Sequence, residues 1–216
     1  MLYEAVRREL FKVVLKLYQK YFIQLTSGNV SVCASAEHLA ITPTGIPYDD
    51  MTAEDLVIID LNGVVVEGNH KPSSEAPMHI TIYKNIPAVK AIVHTHSPYA
   101  LAFAAAGRSI PIISTEGLAV HGPVPVADYA CPGTEAQGLA AIKAMKGPPN
   151  VTGTLLKNHG VLATGTTLSH AYSTACRIEM AAKIFFLALQ IGNPAILTDE
   201  QIEEIRSVYF SKKSSK

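Results

Sequence analysis

The stretch LVIIDLNGVVVEG, residues 56–68, is the feature that most restricts what this chain can fold into. Two short runs rich in Val and Ile are joined by Asn62-Gly63, the dipeptide favoured in type I′ turns between antiparallel strands. The runs VSVCA and HLAIT within residues 30–42 indicate a second hairpin, and residues 152–165 indicate two strands that meet at Asn158-His159-Gly160. Because hairpins pair neighbouring strands in opposite directions, the sequence predicts a largely antiparallel sheet.

Helical segments alternate with these strands. The N-terminal segment has apolar residues at helical spacing with Arg and Lys between them, and a helix is expected to follow the two serines of KPSSEAP. Further helices are predicted over 97–107, where Ser97 is the expected cap, and over 133–147, 167–192 and 198–210. The chain shows no repeat and no linker, so residues 1–216 are predicted to form one α/β domain with helices packed on the sheet faces.

Composition excludes several classes of partner. Lys plus Arg and Asp plus Glu number 18 each, so the net charge is zero and offers no electrostatic basis for binding nucleic acid or acidic membranes. The three cysteines include no CxxC pair, which argues against a disulfide framework and fits a reducing compartment. No apolar run is long enough to span a bilayer, and the N-terminus lacks the pattern of a signal peptide. The prediction is a cytoplasmic protein.

The stretch AIVHTHSPYALA, residues 91–102, carries two histidines at the end of an apolar strand. Residues i and i+2 of a strand point to the same side, so the rings of His94 and His96 can converge. Neutral imidazole is a common ligand of Zn²⁺, and His159 at the junction of two strands is the best candidate for a third ligand. The alternative is that these are ordinary hydrogen-bonded core or loop histidines, and the HxH motif alone leaves both interpretations open.

The segment KPSSEAP places Ser73 and Ser74 where a helix begins. Free backbone N–H groups, two hydroxyls and the positive end of the helix dipole would together form an anion site, although a serine at a helix start is also a simple cap. Glu75 is either a carboxylate that favours the first turn or a base for proton transfer beside a metal. With His79 it also forms a competing i, i+4 ligand pair.

Two further loops, TSGN (26–29) and TPTG (42–45), are rich in glycine and hydroxyl groups. Each alone indicates a turn. Three such loops, a carboxylate and three histidines together suit a metal enzyme that acts on a small phosphorylated substrate.

With these motifs in this order, the chain resembles the class II aldolase/adducin family, and within it the L-fuculose-1-phosphate aldolase-like branch. The resemblance spans almost the whole chain, and the matching stretches occur in family order: SGNVSV (27–32), ITPTGIPY (41–48), DLNGVVVEGNHKPSSE (60–75), AIVHTHSPYA (91–100), VPVADYACPGT (124–134) and LLKNHGVLATG (155–165). It implies a three-layer αβα sandwich around a central, mostly antiparallel sheet.

The resemblance also implies residue roles. His94, His96 and His159 would ligate one Zn²⁺ per subunit, and Glu75 would be the catalytic acid/base. Tyr129, in DYACPGT, would reach a neighbouring subunit's site to protonate the aldehyde oxygen, which implies a homotetramer with active sites between subunits. Residues expected to bind the substrate phosphate are Gly28, Asn29, Thr44, Gly45, Ser73 and Ser74. Tyr209 would correspond to a mobile tail residue that closes over substrate.

The implied activity is reversible cleavage of a ketose 1-phosphate, similar to L-fuculose 1-phosphate, into dihydroxyacetone phosphate and an aldehyde through a metal-stabilised enediolate. The family also includes a methylthioribulose-1-phosphate dehydratase, a pentulose-phosphate 4-epimerase, hydroxy-acid aldolases or decarboxylases, and non-catalytic adducin heads. Glu75 stands where the epimerase has Asp, which favours an aldolase or dehydratase. The complete histidine set argues against an adducin-like interaction module.

Two positions and one segment depart from the family pattern. Cys33 stands where members often carry Arg, and Asp128 stands where Pro is common. The segment ISTEGLAVHG is a longer insertion than the fuculose phosphate enzymes have. The roles of residues 114–123 and of His121 therefore stay open, and so does the identity of the aldehyde.

Overall fold

The structure, a computed structural model, describes residues 1–120, 122–146 and 152–210, apart from the side chains at positions 116, 119, 209 and 210. The α-helices of this part of the chain are α1 Glu4–Gln19, α2 Ala76–Asn85, α3 Pro98–Ala105, α4 Glu135–Met145, α5 Leu168–Ile191 and α6 Asp199–Phe210. The strands are β1 Asn29–Cys33, β2 His38–Ile41, β3 Val57–Asp60, β4 Val65–Glu67, β5 Ala91–Thr95, β6 Val126–Ala127, β7 Gly153–Leu156 and β8 Gly160–Gly165. No helix in these ranges is both long and apolar enough to cross a membrane.

All of these strands belong to one eight-stranded sheet in the order β4-β3-β2-β1-β5-β8-β7-β6. The predicted hairpins are present as the antiparallel pairs β1–β2, β3–β4 and β7–β8. The pairs β2–β3, β1–β5 and β5–β8 are antiparallel too, and only the edge pair β6–β7 is parallel. The expectation of a mostly antiparallel sheet is confirmed.

The sheet separates two hydrophobic cores. One face packs against α1, α3 and α5, and the other packs against α2 and α4. Alternation along β5 divides its residues between the faces: Val93 enters the first core, while Ile92 enters the second. The result is the three-layer αβα sandwich that the family resemblance implies. His94, two residues after Ile92, therefore lies on the α2 and α4 side of the sheet.

The turn between β3 and β4 differs from the predicted type I′ turn. That turn needs positive φ at both central residues, but only Gly63 has it, at 83°. The Gly63 N–H instead donates to the Asp60 carbonyl at 3.0 Å, which closes a three-residue loop. Asp60 Oδ1 accepts from the N–H groups of Asn62 and Val64 at 2.8 and 2.9 Å. This carboxylate fixes the longer loop in place of the tighter turn.

The start of α3 also differs from expectation, because the Ser97 side chain does not cap it. The Glu179 carboxylate, from α5, accepts from the N–H groups of Tyr99 at 3.0 Å and Ala100 at 2.8 Å. Burial raises the pKa of Glu179, which its hydrogen bonds only partly offset. A carboxylate at a helix N-terminus also interacts favourably with the helix dipole. Glu179 therefore ties α5 to the chain just beyond the end of β5.

Candidate metal centre and active site

The histidines converge because β5 and β8 pair antiparallel. His94 lies in β5 opposite Leu162, His96 follows the end of β5, and His159 lies in the turn that leads into β8. Gly160 is required for this approach, since a Cβ there would lie 2.4 Å from the Thr95 carbonyl oxygen and 3.1 Å from the rings of His94 and His96. The end of β5 and the start of β8 thus bring three imidazoles together at one end of these two neighbouring strands.

The three rings face one another closely. Their centroids are 4.9 Å apart for His94 and His96, 4.7 Å for His94 and His159, and 5.1 Å for His96 and His159. One ring nitrogen from each lies within 4.8 Å of the others, a grouping that can hold a metal ion. The structure therefore brings together the three residues predicted as metal ligands.

The protonation of His94 and His96 suits metal binding. His94 Nδ1 lies 2.8 Å from the Val161 carbonyl oxygen, which can only accept, so this nitrogen carries the proton and Nε2 keeps its lone pair. Burial lowers the pKa of His94 to about 4 and also lowers the pKa of His96. Both imidazoles are therefore neutral near pH 7. Three converging imidazoles beside a carboxylate are a donor set that fits Zn²⁺ with a position open to substrate.

Glu75 supplies that carboxylate. It is buried at the start of α2, where its Oε2 lies 3.1 Å from His94 Nε2 and its Oε1 lies 3.2 Å from His159 Nε2. Asn29 Nδ2 donates to Oε2 at 2.7 Å. Burial raises the pKa of Glu75, but His94, the Asn29 hydrogen bond and other neighbouring imidazoles outweigh it, so the pKa falls below its ordinary value. The carboxylate is ionised at neutral pH and can accept a proton or meet a cation.

A cavity of about 190 Å³ opens above this cluster. It is lined by Glu75, His96 and His159 and by the three predicted loops, whose lining members include Thr26, Ser27, Gly28, Asn29, Pro43, Thr44, Ser73 and Ser74. Gly45 does not line it, and has a φ of 79° that its turn requires. The expected loops therefore meet around one small polar space.

One part of the anion-site expectation is wrong. The N–H of Ser73 is not free, because it donates to the Thr42 carbonyl at 3.0 Å, and the N–H of Thr44 donates to the Lys71 carbonyl at the same distance. These bonds join the serine loop to the TPTG loop. What both residues can offer an anion is their hydroxyl groups.

Tyr129 does not reach the cavity of its own chain. It follows β6, is 64% exposed and is absent from the lining, although Pro132 of the same loop belongs to it. Asp128 pairs with Lys143 at 2.8 Å at an exposed position.

Tyr209 belongs to α6, but its side chain lies outside the description, and His121 lies outside the described residues. The roles of these residues stay predictions.

Two polar contacts behind the site were not predicted from the sequence. His79 does not join the histidine cluster, and the proposed pairing with Glu75 as metal ligands is not what the fold builds; its Nδ1 lies 2.6 Å from Ser31 Oγ, which lies 2.8 Å from Tyr83 OH. The sequence spacing contained a signal for this contact. Asn29 and Ser31 are two apart in β1, and they face Glu75 and His79, which are four apart at the start of α2.

Gln137 Nε2 lies 2.7 Å from His159 Nδ1. This contact depends on how α4 packs, so no local sequence pattern could have indicated it.

Comparison with known proteins identifies the family. The family described as Class II Aldolase and Adducin N-terminal domain matches residues 8–186. The 5-deoxy-D-ribulose 1-phosphate aldolase of Bacillus thuringiensis serovar kurstaki is 36% identical over 207 residues, which cover 95% of each chain. The L-fuculose phosphate aldolase of Escherichia coli K12 is 36% identical over 197 residues, covering 90% of this chain and 89% of that protein.

A solved structure agrees with the sequence relatives. An L-fuculose 1-phosphate aldolase superposes with a TM-score of 0.87 at 36% identity, covering 95% of this chain and 96% of that one. The superposition leaves no large part of either chain unmatched. The chain described here belongs to the class II aldolase and adducin family, and it is an aldehyde-lyase.

Proposed function

We propose that this enzyme is a zinc-dependent ketose-1-phosphate aldolase that reversibly forms dihydroxyacetone phosphate and an aldehyde, with residues 1–216 as one catalytic domain. The observation that carries the proposal is the position of the Glu75 carboxylate, within 3.2 Å of His94 and His159 at the base of a cavity rimmed by hydroxyl-bearing loops. The names of the two curated relatives, each an aldolase of a sugar phosphate, support it.

His94, His96 and His159 would hold one Zn²⁺ per subunit. When bound there, the cation would supply Lewis-acid polarisation of a substrate carbonyl and stabilise negative charge that develops beside it. His94 and His96 are preorganised for this task, since the Val161 carbonyl orients His94 and the backbone of β5 sets the spacing of the two rings.

Glu75 is proposed as the base that takes a proton from the carbon beside the substrate carbonyl, and that returns it in the cleavage direction. Its carboxylate is ionised, buried and held by Asn29, so it does not need to be reoriented before the transfer. A positioned general base of this kind contributes about 10²- to 10⁴-fold to the rate.

The hydroxyl groups of Ser73, Ser74 and Thr44 are proposed to hold the substrate phosphate, with Gly28, Asn29 and Gly45 shaping the loops that carry them. The serines precede Glu75, the N-cap of α2, so the positive end of that helix dipole adds to the attraction for an anion. The phosphate would thereby fix the distance from the reacting carbons to Glu75.

Tyr129 is proposed to donate a proton to the aldehyde oxygen of a neighbouring subunit's site in a homotetramer, and Tyr209 is proposed to close over bound substrate. The exposure of Tyr129, outside the cavity of its own chain, supports this role. A cytoplasmic location is part of the same proposal.

The substrates to test first are 5-deoxyribulose 1-phosphate and L-fuculose 1-phosphate, the sugar phosphates in the names of the two relatives. Release of dihydroxyacetone phosphate, measured with a coupled reductase, should occur with one of them, stop on chelation and return on adding Zn²⁺. Loss of water without release of dihydroxyacetone phosphate would instead support dehydratase chemistry. Inversion at carbon 4 would support the epimerase alternative.

A further inference from the structure

Among the described residues, Gln137 differs from the other partners of the histidine cluster because its side chain can present either a donor or an acceptor. It lies on the first turn of α4, is 3% exposed and faces His159 Nδ1 at 2.7 Å. The partner of His94 Nδ1 is a backbone carbonyl, which can only accept. The tautomer of His94 is therefore fixed by the fold, whereas the tautomer of His159 depends on how the Gln137 amide is turned.

A second contact fixes the orientation of the Gln137 amide. The N–H of Gly133 donates to Gln137 Oε1 at 2.9 Å, so the amide nitrogen faces His159 Nδ1. An amide nitrogen can only donate, so Nδ1 must accept and the ring proton lies on Nε2. In this arrangement the protonated Nε2 of His159 lies 3.2 Å from Glu75 Oε1.

Metal ligation by His159 Nε2 requires the opposite arrangement. The lone pair of Nε2 must be free, so the ring proton has to move to Nδ1, with no net gain or loss of protons. The buried Nδ1–H then needs an acceptor, and Gln137 Oε1 becomes that acceptor if the amide rotates by half a turn.

We infer, on the basis of the proposed metal site, that Gln137 is a positioning residue whose amide turns over when His159 binds the metal. The rotation leaves the amide nitrogen facing the N–H of Gly133, and two donors cannot share that contact. Gly133 is tightly placed, with a φ of 75° and room for no Cβ, since one would lie 2.7 Å from the Ser74 carbonyl oxygen. Metal binding is thereby coupled to the segment Cys131–Gly133, which joins the cavity wall at Pro132 to the loop of Tyr129.

The full chain offers a selective probe of this coupling. Pro132-Gly133 is the only Pro-Gly pair in the sequence, so labelling proline carbonyls with ¹³C and glycine nitrogens with ¹⁵N isolates the Gly133 amide signal. Chelator-treated protein is titrated with Zn²⁺ while bound metal is measured by chelator competition. In the wild type, the Gly133 amide proton should move to lower chemical shift as it loses its acceptor.

Two variants separate the coupling from a general effect of the nearby metal. In Gln137→Glu, a carboxylate accepts from both Nδ1–H and the Gly133 N–H, so the zinc affinity should rise about 10-fold and the Gly133 signal should stay in place. In Gln137→Met, neither donor has an acceptor, so the affinity should fall about 10- to 100-fold and the signal should already lie at the lower shift before zinc is added.

An unmoved Gly133 signal in wild-type protein that binds zinc stoichiometrically would overturn the inference and leave the metal site intact. Equal zinc affinity in all three proteins would do the same. A wild-type protein that binds no zinc would instead overturn the proposed metal site, and this inference with it. The wild-type titration decides the question even where a variant fails to fold.

Discussion

His79 makes the unfolding free energy of this protein depend on pH by an amount that the structure allows to be calculated. Its ring projects from α2 and is fully buried, Nδ1 is paired with Ser31 Oγ of β1, and Nε2 has no partner among the described residues. Burial lowers the pKa of His79 to about 3, against an ordinary value of 6.5. The perturbation is a drop from pH 7.5 to pH 5.0, applied to the wild type and to His79→Gln.

The sign follows from proton uptake. Between pH 6.5 and pH 3 the unfolded chain protonates this imidazole and the folded chain does not, so acidification favours unfolding. The contribution of His79 to the free energy of unfolding is therefore fully present above pH 6.5, the pKa of the imidazole in the unfolded chain, and is lost as the pH falls below that value. With these pKa values, the loss by pH 5.0 is about 2 kcal/mol.

Urea unfolding of chelator-treated protein at the two pH values measures this loss. His94 also has a depressed pKa, but it is present in both proteins, so the difference between wild type and variant isolates His79. The wild type should lose about 2 kcal/mol more than His79→Gln over this interval. Equal losses in the two proteins would refute the conclusion that His79 is buried and neutral.

Three further changes should have separable effects. Glu75→Gln should lower the rate of cleavage about 10²- to 10⁴-fold and leave the zinc stoichiometry unchanged, because it removes a base and no imidazole. Steady-state kinetics measures the rate and metal analysis measures the zinc content. Loss of zinc from this variant would contradict the proposed role of Glu75. His94→Ala should abolish stoichiometric zinc binding, whereas the matched control His170→Ala on α5 should bind zinc like the wild type. Arg7 is 1% exposed and donates to the Leu56 carbonyl. Arg7→Met should therefore lower the free energy of unfolding, measured in urea, by about 2–3 kcal/mol. A loss of less than about 0.5 kcal/mol would contradict a stabilising role for this buried hydrogen bond.

The parts of the site that were predictable from sequence are those encoded by local spacing. His94 and His96 two apart in a strand point to one side, and Gly160 beside His159 allows two backbones to approach closely. The first pattern follows from strand geometry alone, whereas the second also needs β5 and β8 to pair. The hairpins that define the antiparallel sheet were predictable for the same reason.

The parts that could not be predicted depend on side chains from distant segments. Glu179 caps α3 in place of Ser97 from about 80 residues away, and Gln137 meets His159 only after α4 has packed on the sheet. The turn after β3 was misjudged because the Asp60 carboxylate offers two hydrogen bonds that favour a longer loop than Asn62-Gly63 alone would form. Local propensity is a weak guide where such contacts compete with it.

The most direct test of the account is proton NMR of the purified enzyme with dihydroxyacetone phosphate in deuterated buffer, with and without chelator. No aldehyde is needed, so the result does not depend on knowing the second product. The account predicts that the zinc-loaded enzyme exchanges one hydroxymethylene proton stereospecifically, and that chelation or Glu75→Gln abolishes the exchange. Absence of exchange from fully zinc-loaded wild-type enzyme would contradict it.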